Sequence, residues 1–360
     1  MKHILIYLAL VLFSGAIVYA ADSTAAAEQP VTFSGFVDFY YSKNIESPLS
    51  GTNRLRNFDT PENQFTLSLA ELVVQKTASP VGFRMDLDFG PTNDAVQPGN
   101  ASTVNVLQQA YLTAVLPVGN GLTVDAGKFV THMGYEVIES QANWNYSRSL
   151  LFAWAIPYYH TGIRLTYPVA NNFTAALHIV NGWNSVIDNN SKKSLGLTLN
   201  YAVSSSTDFI FNYMTGFEQP QGVNAGKKNV FDFIITQSVS DKFTLALNAD
   251  YGEERFLLGA PLATWKGAAV YGRYAFNDKS AIAIRAEGFY DPMGYATATG
   301  VPKETIKEAT LTYEYKLFAP LLVRGEARGD FANAPLFENN SGGTTQYSQV
   351  TFLIGVVASF

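Results

Sequence analysis

The chain has 360 residues, of which 15% are charged, a formal net charge of −6 and no cysteine. This mild acidity argues against nucleic acid as a partner, and the lack of cysteine excludes a disulfide framework and cysteine-ligated metal sites. Its 20 Tyr and 25 Phe are many for this length, and a mean hydropathy close to zero is typical of a wall with one apolar and one polar face.

The N-terminus has the form of a secretory signal. Lys2 precedes an apolar run over residues 4–18, and Val18-Tyr19-Ala20 places small residues where a signal peptidase cleaves. The run is short for a membrane-spanning helix, which disfavours the alternative of a single membrane anchor. No later segment has 18 consecutive apolar residues, so a helical inner-membrane protein is excluded. We predict a signal peptide at 1–20, a short N-terminal segment at 21–30 and one domain at 31–360.

Apolar and polar residues alternate along the rest of the chain, which is typical of β-strands. Most of the segments that alternate are 9–15 residues long, enough to cross a bilayer at a tilt, whereas globular strands average about 5–6 residues. Sixteen strands are predicted, at residues 31–43, 63–76, 81–90, 104–116, 121–130, 160–168, 172–181, 193–203, 207–217, 227–239, 242–252, 264–276, 280–290, 304–317, 321–331 and 346–360.

The connections between these strands alternate between short and long. Ser240-Asp241 and Ala319-Pro320 are tight turns, whereas residues 44–62 form a long polar loop. Short turns on one side and long loops on the other are typical of outer-membrane barrels, and an even strand count places both ends of the barrel on the short-turn, periplasmic side. We therefore predict an all-β fold, a transmembrane antiparallel β-barrel most consistent with sixteen strands.

The two faces of the strands differ in polarity. On residues 83–89, Phe83, Met85 and Leu87 share one face, and the opposite face carries Arg84 and Asp86. We expect the apolar face to contact lipid and the charged face to line a water-filled lumen.

The longest connection, residues 131–159, follows the fifth strand and is here called the third loop. It holds two of the four Trp of the chain, four Tyr and a Phe. A loop this aromatic needs burial, and the lumen is the available place, so we predict that it folds inward and narrows the pore.

Motifs in and around the third loop resemble a named family. They are Lys128-Phe129, Gly134-Tyr135-Glu136, Asn143-Trp144-Asn145-Tyr146-Ser147-Arg148-Ser149 and Pro157-Tyr158-Tyr159-His160-Thr161-Gly162. Together they resemble the putative β-barrel porin-2 (OmpL-like) family. The resemblance implies an outer-membrane channel with no assigned solute. Similarity to general porins further implies a homotrimer.

Charged residues on the third loop and the wall are candidates for a pore constriction. Opposed charges across a narrow aqueous slot would orient dipolar solutes and filter them by size and charge. The alternative is that these acids and bases pair with one another and anchor the loop. The candidates are Glu136, Glu139 and Arg148 on the loop, and Arg164, Arg273, Arg285, Arg324 and Arg328 on the wall.

Aromatic residues of the same loop are candidates for stacking on the rings of sugar solutes. Hydrophobic packing of the loop against the wall is the favoured alternative. The candidates are Trp144, Trp154, Tyr158 and Tyr159.

Other site chemistries find little support in the sequence. His132 and His160 lie at the two bases of the third loop, but no acidic cluster accompanies them, so we expect no metal and no cofactor. An outer-membrane hydrolase would need His178 to act with Ser185 or Asp188, and only proximity groups these residues. A surface receptor or adhesin is the third class, although the outer loops are modest in length and no plug domain is present.

The final strand is apolar on one face and runs to the last residue. A free strand of this kind would be an aggregation hazard in a soluble protein. A terminal strand that ends in Phe360 resembles the closing strand of bacterial outer-membrane barrels, which implies contact with the outer-membrane assembly machinery. We predict a non-enzymatic porin of the bacterial outer membrane, surrounded by lipid, for passive diffusion of small hydrophilic solutes and ions.

Overall fold

The computed structural model describes residues 29–97 and 105–360. The predicted signal peptide and most of the predicted segment at 21–30 lie outside these residues. The described chain forms a closed antiparallel barrel of sixteen strands and one separate two-stranded sheet. None of its helices combines the length and the apolar character required to span a bilayer.

The barrel consists of β1–β15 and β18, and consecutive barrel strands are neighbours all the way round. The barrel strands are β1 (Val31–Asn44), β2 (Gln64–Lys76), β3 (Val81–Phe89), β4 (Leu107–Leu116), β5 (Leu122–Val130), β6 (Tyr159–Ala170), β7 (Phe173–Val180), β8 (Ser194–Ser204), β9 (Thr207–Gly216), β10 (Lys228–Ser238), β11 (Phe243–Glu254), β12 (Ala263–Asn277), β13 (Ser280–Asp291), β14 (Glu304–Phe318), β15 (Leu321–Ala332) and β18 (Ser348–Ser359). The small sheet pairs β16 (Phe337–Glu338) with β17 (Thr344–Gln346), and the helices are α1 (Pro91–Val96), a 3₁₀ turn (Ser140–Ala142) and a π turn (Leu151–Ala155).

All sixteen predicted strands are confirmed, with ends that differ by no more than three residues. The third loop is one residue shorter than predicted, because Tyr159 already pairs with Val130 and belongs to β6. The loop therefore covers residues 131–158. The helix α1 and all of the small sheet except Gln346 lie within connections that we predicted to be loops.

The first and last strands close the barrel. β1 pairs with β18 in a register that runs from Phe36 opposite Ser359 to Asn44 opposite Thr351. The pairing extends to the last residue, since the Phe360 N–H donates to the Gly35 carbonyl at 3.0 Å. Closure leaves no strand edge in the wall, which is the condition for a β-structure to cross a bilayer.

The two faces of the wall are sorted as predicted. Phe352 and Ile354 of β18 point outward and are 54% and 59% exposed, whereas Arg285 and Glu287 of β13 point inward and are buried. Apolar side chains outside and charged side chains inside are the reverse of a soluble barrel.

The interior is more filled than the predicted water-filled lumen. Leu150, Leu151 and Phe152 of the third loop are buried in one apolar cluster with Trp265 and Phe289 of the wall. The core of this protein therefore sits inside the barrel, between the third loop and the wall.

Candidate functional site: the third loop and the lumen

The third loop crosses the full width of the barrel. It starts at β5 and ends at β6, and its middle contacts β13, β14 and β15, which lie on the opposite side of the ring of strands. A loop of 28 residues can do this because its polar backbone groups find partners on the wall instead of water.

Wall carboxylates accept hydrogen bonds from the loop backbone. Glu326 accepts the N–H groups of Tyr146 and Ser147 at 2.6 and 3.0 Å. Glu287 does the same for Leu150 and Leu151 at 2.7 and 3.3 Å. Each of these two carboxyl groups satisfies two backbone donors of a buried loop that would otherwise lack a partner, so together they fix the loop in place.

Wall arginines complement these carboxylates by donating to loop carbonyls. Arg324 donates to Asn143 O at 2.6 Å, Arg328 to Arg148 O at 2.6 Å, and Arg285 to Ser147 O at 2.6 Å. These wall groups therefore accept from and donate to consecutive stretches of one loop, which gives the loop a single register on the wall.

Five of the eight predicted constriction residues are almost fully buried. Arg285 bonds to Glu136 at 2.6 Å and to Glu308 at 3.0 Å. Arg148 donates to the Tyr146 carbonyl within its own loop at 2.5 Å. With Arg324 and Arg328 they form the contact between loop and wall.

The other three predicted residues reach water. Arg164 pairs with Asp125 at 2.8 Å and its side chain is 25% exposed, and Arg273 pairs with Glu314 at 3.0 Å with 31% exposure. Glu139 is half-buried in an opening at the short-turn end of the lumen. The structure thus divides the predicted set into a buried anchoring group and an accessible group.

The four predicted stacking residues do not lie together. Trp154 and Tyr158 line a cavity of about 670 Å³ at the long-loop end of the lumen, here called the outer vestibule. Trp144 packs edge-to-face on Tyr135, with ring centroids 5.6 Å apart. Tyr159 is fully buried below the Lys128 ammonium, which lies 4.4 Å from its ring centroid.

Aromatic residues from other loops and strand ends complete the outer vestibule. Trp183, Trp265 and Tyr295 join Trp154 and Tyr158 in its lining. The lining therefore brings together side chains that are far apart in sequence.

The two cations of the outer vestibule are neutralised by internal partners. Lys228 pairs with Glu254 at 2.8 Å, and Arg56 pairs with Asp330 at 2.7 Å and also with Asp59. Burial alone would lower the pKa of Arg56, but Asp330 and Asp59 outweigh it and raise the pKa above its usual value, so the guanidinium stays charged. The vestibule offers aromatic and amide surface with little net charge.

The comparisons with known proteins agree with this geometry. The family model described as "Putative beta-barrel porin-2, OmpL-like" matches residues 30–360. The chain belongs to this family. It is accordingly a porin-type β-barrel of the bacterial outer membrane. No curated protein sequence matches it.

Solved outer-membrane proteins share the fold of this family member at low sequence identity. The outer-membrane channel DcaP of Acinetobacter baumannii is 12% identical with a TM-score of 0.61, covering 94% of this chain and 100% of its own. OmpT of Vibrio cholerae is 13% identical with a TM-score of 0.63 and the same coverage. An anion-selective porin from Comamonas acidovorans is 11% identical with a TM-score of 0.64, covering 92% of this chain and 100% of its own.

The histidines of this porin-type barrel pack against one another. The His132 ring stacks on His178 with centroids 4.0 Å apart and lies 5.5 Å from His160. His160 contacts the Gly182 carbonyl at 3.1 Å and Thr131 at 3.2 Å. Within the ranges that the structure describes, no group of three or more His, Asp or Glu residues has the arrangement of a metal site.

The residues considered for a hydrolase have other partners. His178 Nε2 lies 3.2 Å from Thr198 Oγ1, and the Ser185 hydroxyl donates to the Trp183 carbonyl at 3.0 Å. Asp188 pairs with Lys193 in its own loop. The three residues thus do not form the hydrogen-bonded chain that nucleophilic catalysis requires.

The predicted constriction set left out several residues that line the accessible space. Arg84 of β3 has the predicted inward parity, pairs with Asp86 at 2.9 Å and keeps 33% of its side chain exposed. Trp265 has the inward parity of β12 and lies beside a long loop, so strand parity alone identifies it as a vestibule residue. Trp183 and Arg56 lie on irregular loops, where no periodicity signals their position.

Proposed function

We propose that this protein is a non-enzymatic porin through which small hydrophilic solutes and ions diffuse passively across the outer membrane. The observation that carries the proposal is the third loop, which is anchored across the lumen of a closed barrel by buried charges. A fixed loop narrows a channel permanently, and such a channel filters solutes without any moving part.

The filter is proposed to lie along the accessible charged residues and not at the buried ones. Arg84, Arg164 and Arg273 retain contact with water, and Glu139 lies at the opening opposite the vestibule. Each arginine has a carboxylate partner, so a solute would meet a row of local dipoles. Dipolar hydrophilic solutes are stabilised by such dipoles, whereas apolar solutes lose hydration without compensation.

The outer vestibule is proposed as the entrance for solutes that carry rings. Trp154 and Trp183 are only half-buried and can offer their faces to a sugar ring, while Asn57 and Asn184 supply amides nearby. Ligand cavities of about 300–1,000 Å³ with aromatic walls and a few polar groups are typical of small-molecule sites.

A homotrimer and contact with the assembly machinery complete the proposal. OmpT of Vibrio cholerae is described in a trimer form. In this chain Phe33, Phe65 and Leu67 place exposed apolar side chains on the outer wall of β1 and β2, where another subunit or lipid would cover them. Phe360 remains 76% exposed at the end of the closing strand, accessible to the assembly machinery.

The ion selectivity of the refolded protein tests the filter. We expect Arg164→Gln with Arg273→Gln to shift the reversal potential under a KCl gradient toward cation selectivity, because two accessible positive charges leave the lumen. The matched control is Lys242→Gln with Lys279→Gln, which removes the same charge from exposed short turns outside the lumen. Equal reversal potentials for the two double variants would contradict the proposed filter.

A further inference from the structure

Two lysines face the membrane at the long-loop end of the barrel wall. On β12, Lys266 lies between Trp265, whose side chain is buried inside the barrel, and Gly267, where an added Cβ would point toward Leu151 of the third loop. On β14, Lys307 lies between the buried Ile306 and Glu308. Strand alternation therefore turns both lysines outward, and both are exposed.

The depth of Lys266 places it at the upper edge of the apolar band. Below it on the outer face of β12 come Ala268, Val270, Gly272, Tyr274 and Phe276. The ten-residue step from Lys266 to Phe276 spans about 34 Å along the strand, or roughly 26 Å of height at the usual tilt, and the apolar band of such barrels is about 25 Å tall. On β14 a step of the same length leads from Lys307 to the exposed Leu317. Lys266 and Lys307 therefore lie at the level of the outer-leaflet head groups.

Neither lysine has an anionic partner in the described part of the chain. The ion pairs found there include Lys43 with Glu62, at the same end of the wall, but none involves Lys266 or Lys307. Lys266 lies 5.8 Å from the centre of the Tyr290 ring, which is a weak contact. Unpaired cations on a lipid-facing wall are costly unless an anion meets them.

An apolar groove opens between the two lysines. It has a volume of about 440 Å³, with Ala268 and Gly288 as its floor and Tyr251 and Tyr290 among its walls. A Cβ added at Gly288 would meet no atom within 4 Å, which shows how open the floor is. Straight apolar chains of lipid fit such a groove.

The spacing of the lysines suits a head group with more than one anionic site. Lys266 is opposite Tyr290, and Lys307 is opposite Gly288, so β13 alone separates them. Two inter-strand steps place the two backbones roughly 10 Å apart. We propose that this groove binds a phosphorylated, multiply acylated lipid of the outer leaflet, with phosphates on Lys266 and Lys307 and an acyl chain over Gly288.

Binding of bisphosphorylated lipid A to the refolded full barrel in detergent tests the proposal. The charge variant is Lys266→Gln with Lys307→Gln, and its matched control is Lys242→Gln with Lys279→Gln on the short-turn side. We expect the charge variant to bind about thirty-fold more weakly, since each lysine near an anionic lipid surface contributes about a fivefold factor, and the control to bind like the wild type.

A groove variant separates the lipid from free phosphate. Gly288→Leu fills the groove where the added Cβ meets open space, so the barrel should fold, and displacing two methylene groups would weaken lipid A binding about fifteen-fold. Inorganic phosphate at equal concentration should not compete. Competition by phosphate, equal binding of dephosphorylated lipid A, or equal affinity of the wild type and the charge variant would each overturn the proposal. A charge variant that binds lipid A like the wild type but has a different oligomeric mass would also overturn the proposal, because the groove would then be a contact with a second copy of the chain.

Discussion

Replacing Glu326 tests how the third loop is held. This buried carboxylate accepts the Tyr146 and Ser147 N–H groups at 2.6 and 3.0 Å and the Thr312 hydroxyl at 2.7 Å. Glu326→Gln keeps the shape but removes the charge, and its amide nitrogen cannot accept a hydrogen bond. Hydrogen bonds to charged groups contribute about 1.5–3 kcal/mol each. Loss of the bond from one of the two loop N–H groups and weakening of the bond from the other should therefore lower the local stability of the loop by about 3 kcal/mol.

Amide hydrogen exchange of the loop measures this cost directly. A loss of about 3 kcal/mol corresponds to about a 150-fold increase in the exchange rate of the Tyr146 and Ser147 amides. Single-channel recordings of the same variant should become noisier as the loop leaves the wall. Glu338→Gln is the control, because Glu338 accepts the exposed Ser50 N–H outside the barrel and does not bond to the third loop in the part of the chain that the structure describes. Unchanged exchange at Tyr146 and Ser147 in Glu326→Gln would refute the anchoring role.

Three further changes test other parts of the lumen. Arg285→Met should lower the stability of the barrel by about 3–5 kcal/mol, because it leaves buried carboxylates unpaired. The unfolding temperature measures this loss, and an unchanged unfolding temperature would contradict the buried network. Glu139→Gln should shift the ion selectivity toward anions more than Glu136→Gln does, since Glu136 is buried against Arg285. Reversal potentials measure both shifts, and a larger shift for Glu136→Gln would place the filter at the buried pair. Trp154→Ala should weaken current block by an added disaccharide while Trp144→Ala does not, and equal block in both variants would exclude stacking in the outer vestibule.

The strands were predictable because the bilayer imposes a two-residue period on most of the wall. β2 and β4 give no clean parity in the sequence, and the structure shows the reason. The register against β1 skips Ser68, and the register of β4 against β3 skips Gln108, so each strand contains a β-bulge. One extra residue reverses the inward and outward sides, and a strict alternation cannot survive it.

The site was less predictable than the wall. The composition of the third loop indicates that it is buried, but which wall group meets which loop atom depends on the fold. Arg164 and Arg285 have the same inward parity and looked equivalent in the sequence, yet one reaches water and the other is buried against Glu136. No sequence pattern indicates that Glu287 and Glu326 accept hydrogen bonds from the backbone of the third loop.

Single-channel conductance of the refolded protein without residues 1–20 in a planar bilayer tests the central claim most directly. We expect small, steady, ohmic steps in the current, because a firmly anchored third loop narrows the lumen. We expect larger steps when the loop is shortened between Met133 and Pro157. Absence of conductance from correctly folded, heat-modifiable protein would contradict the porin function and would favour the hypothesis of a surface receptor.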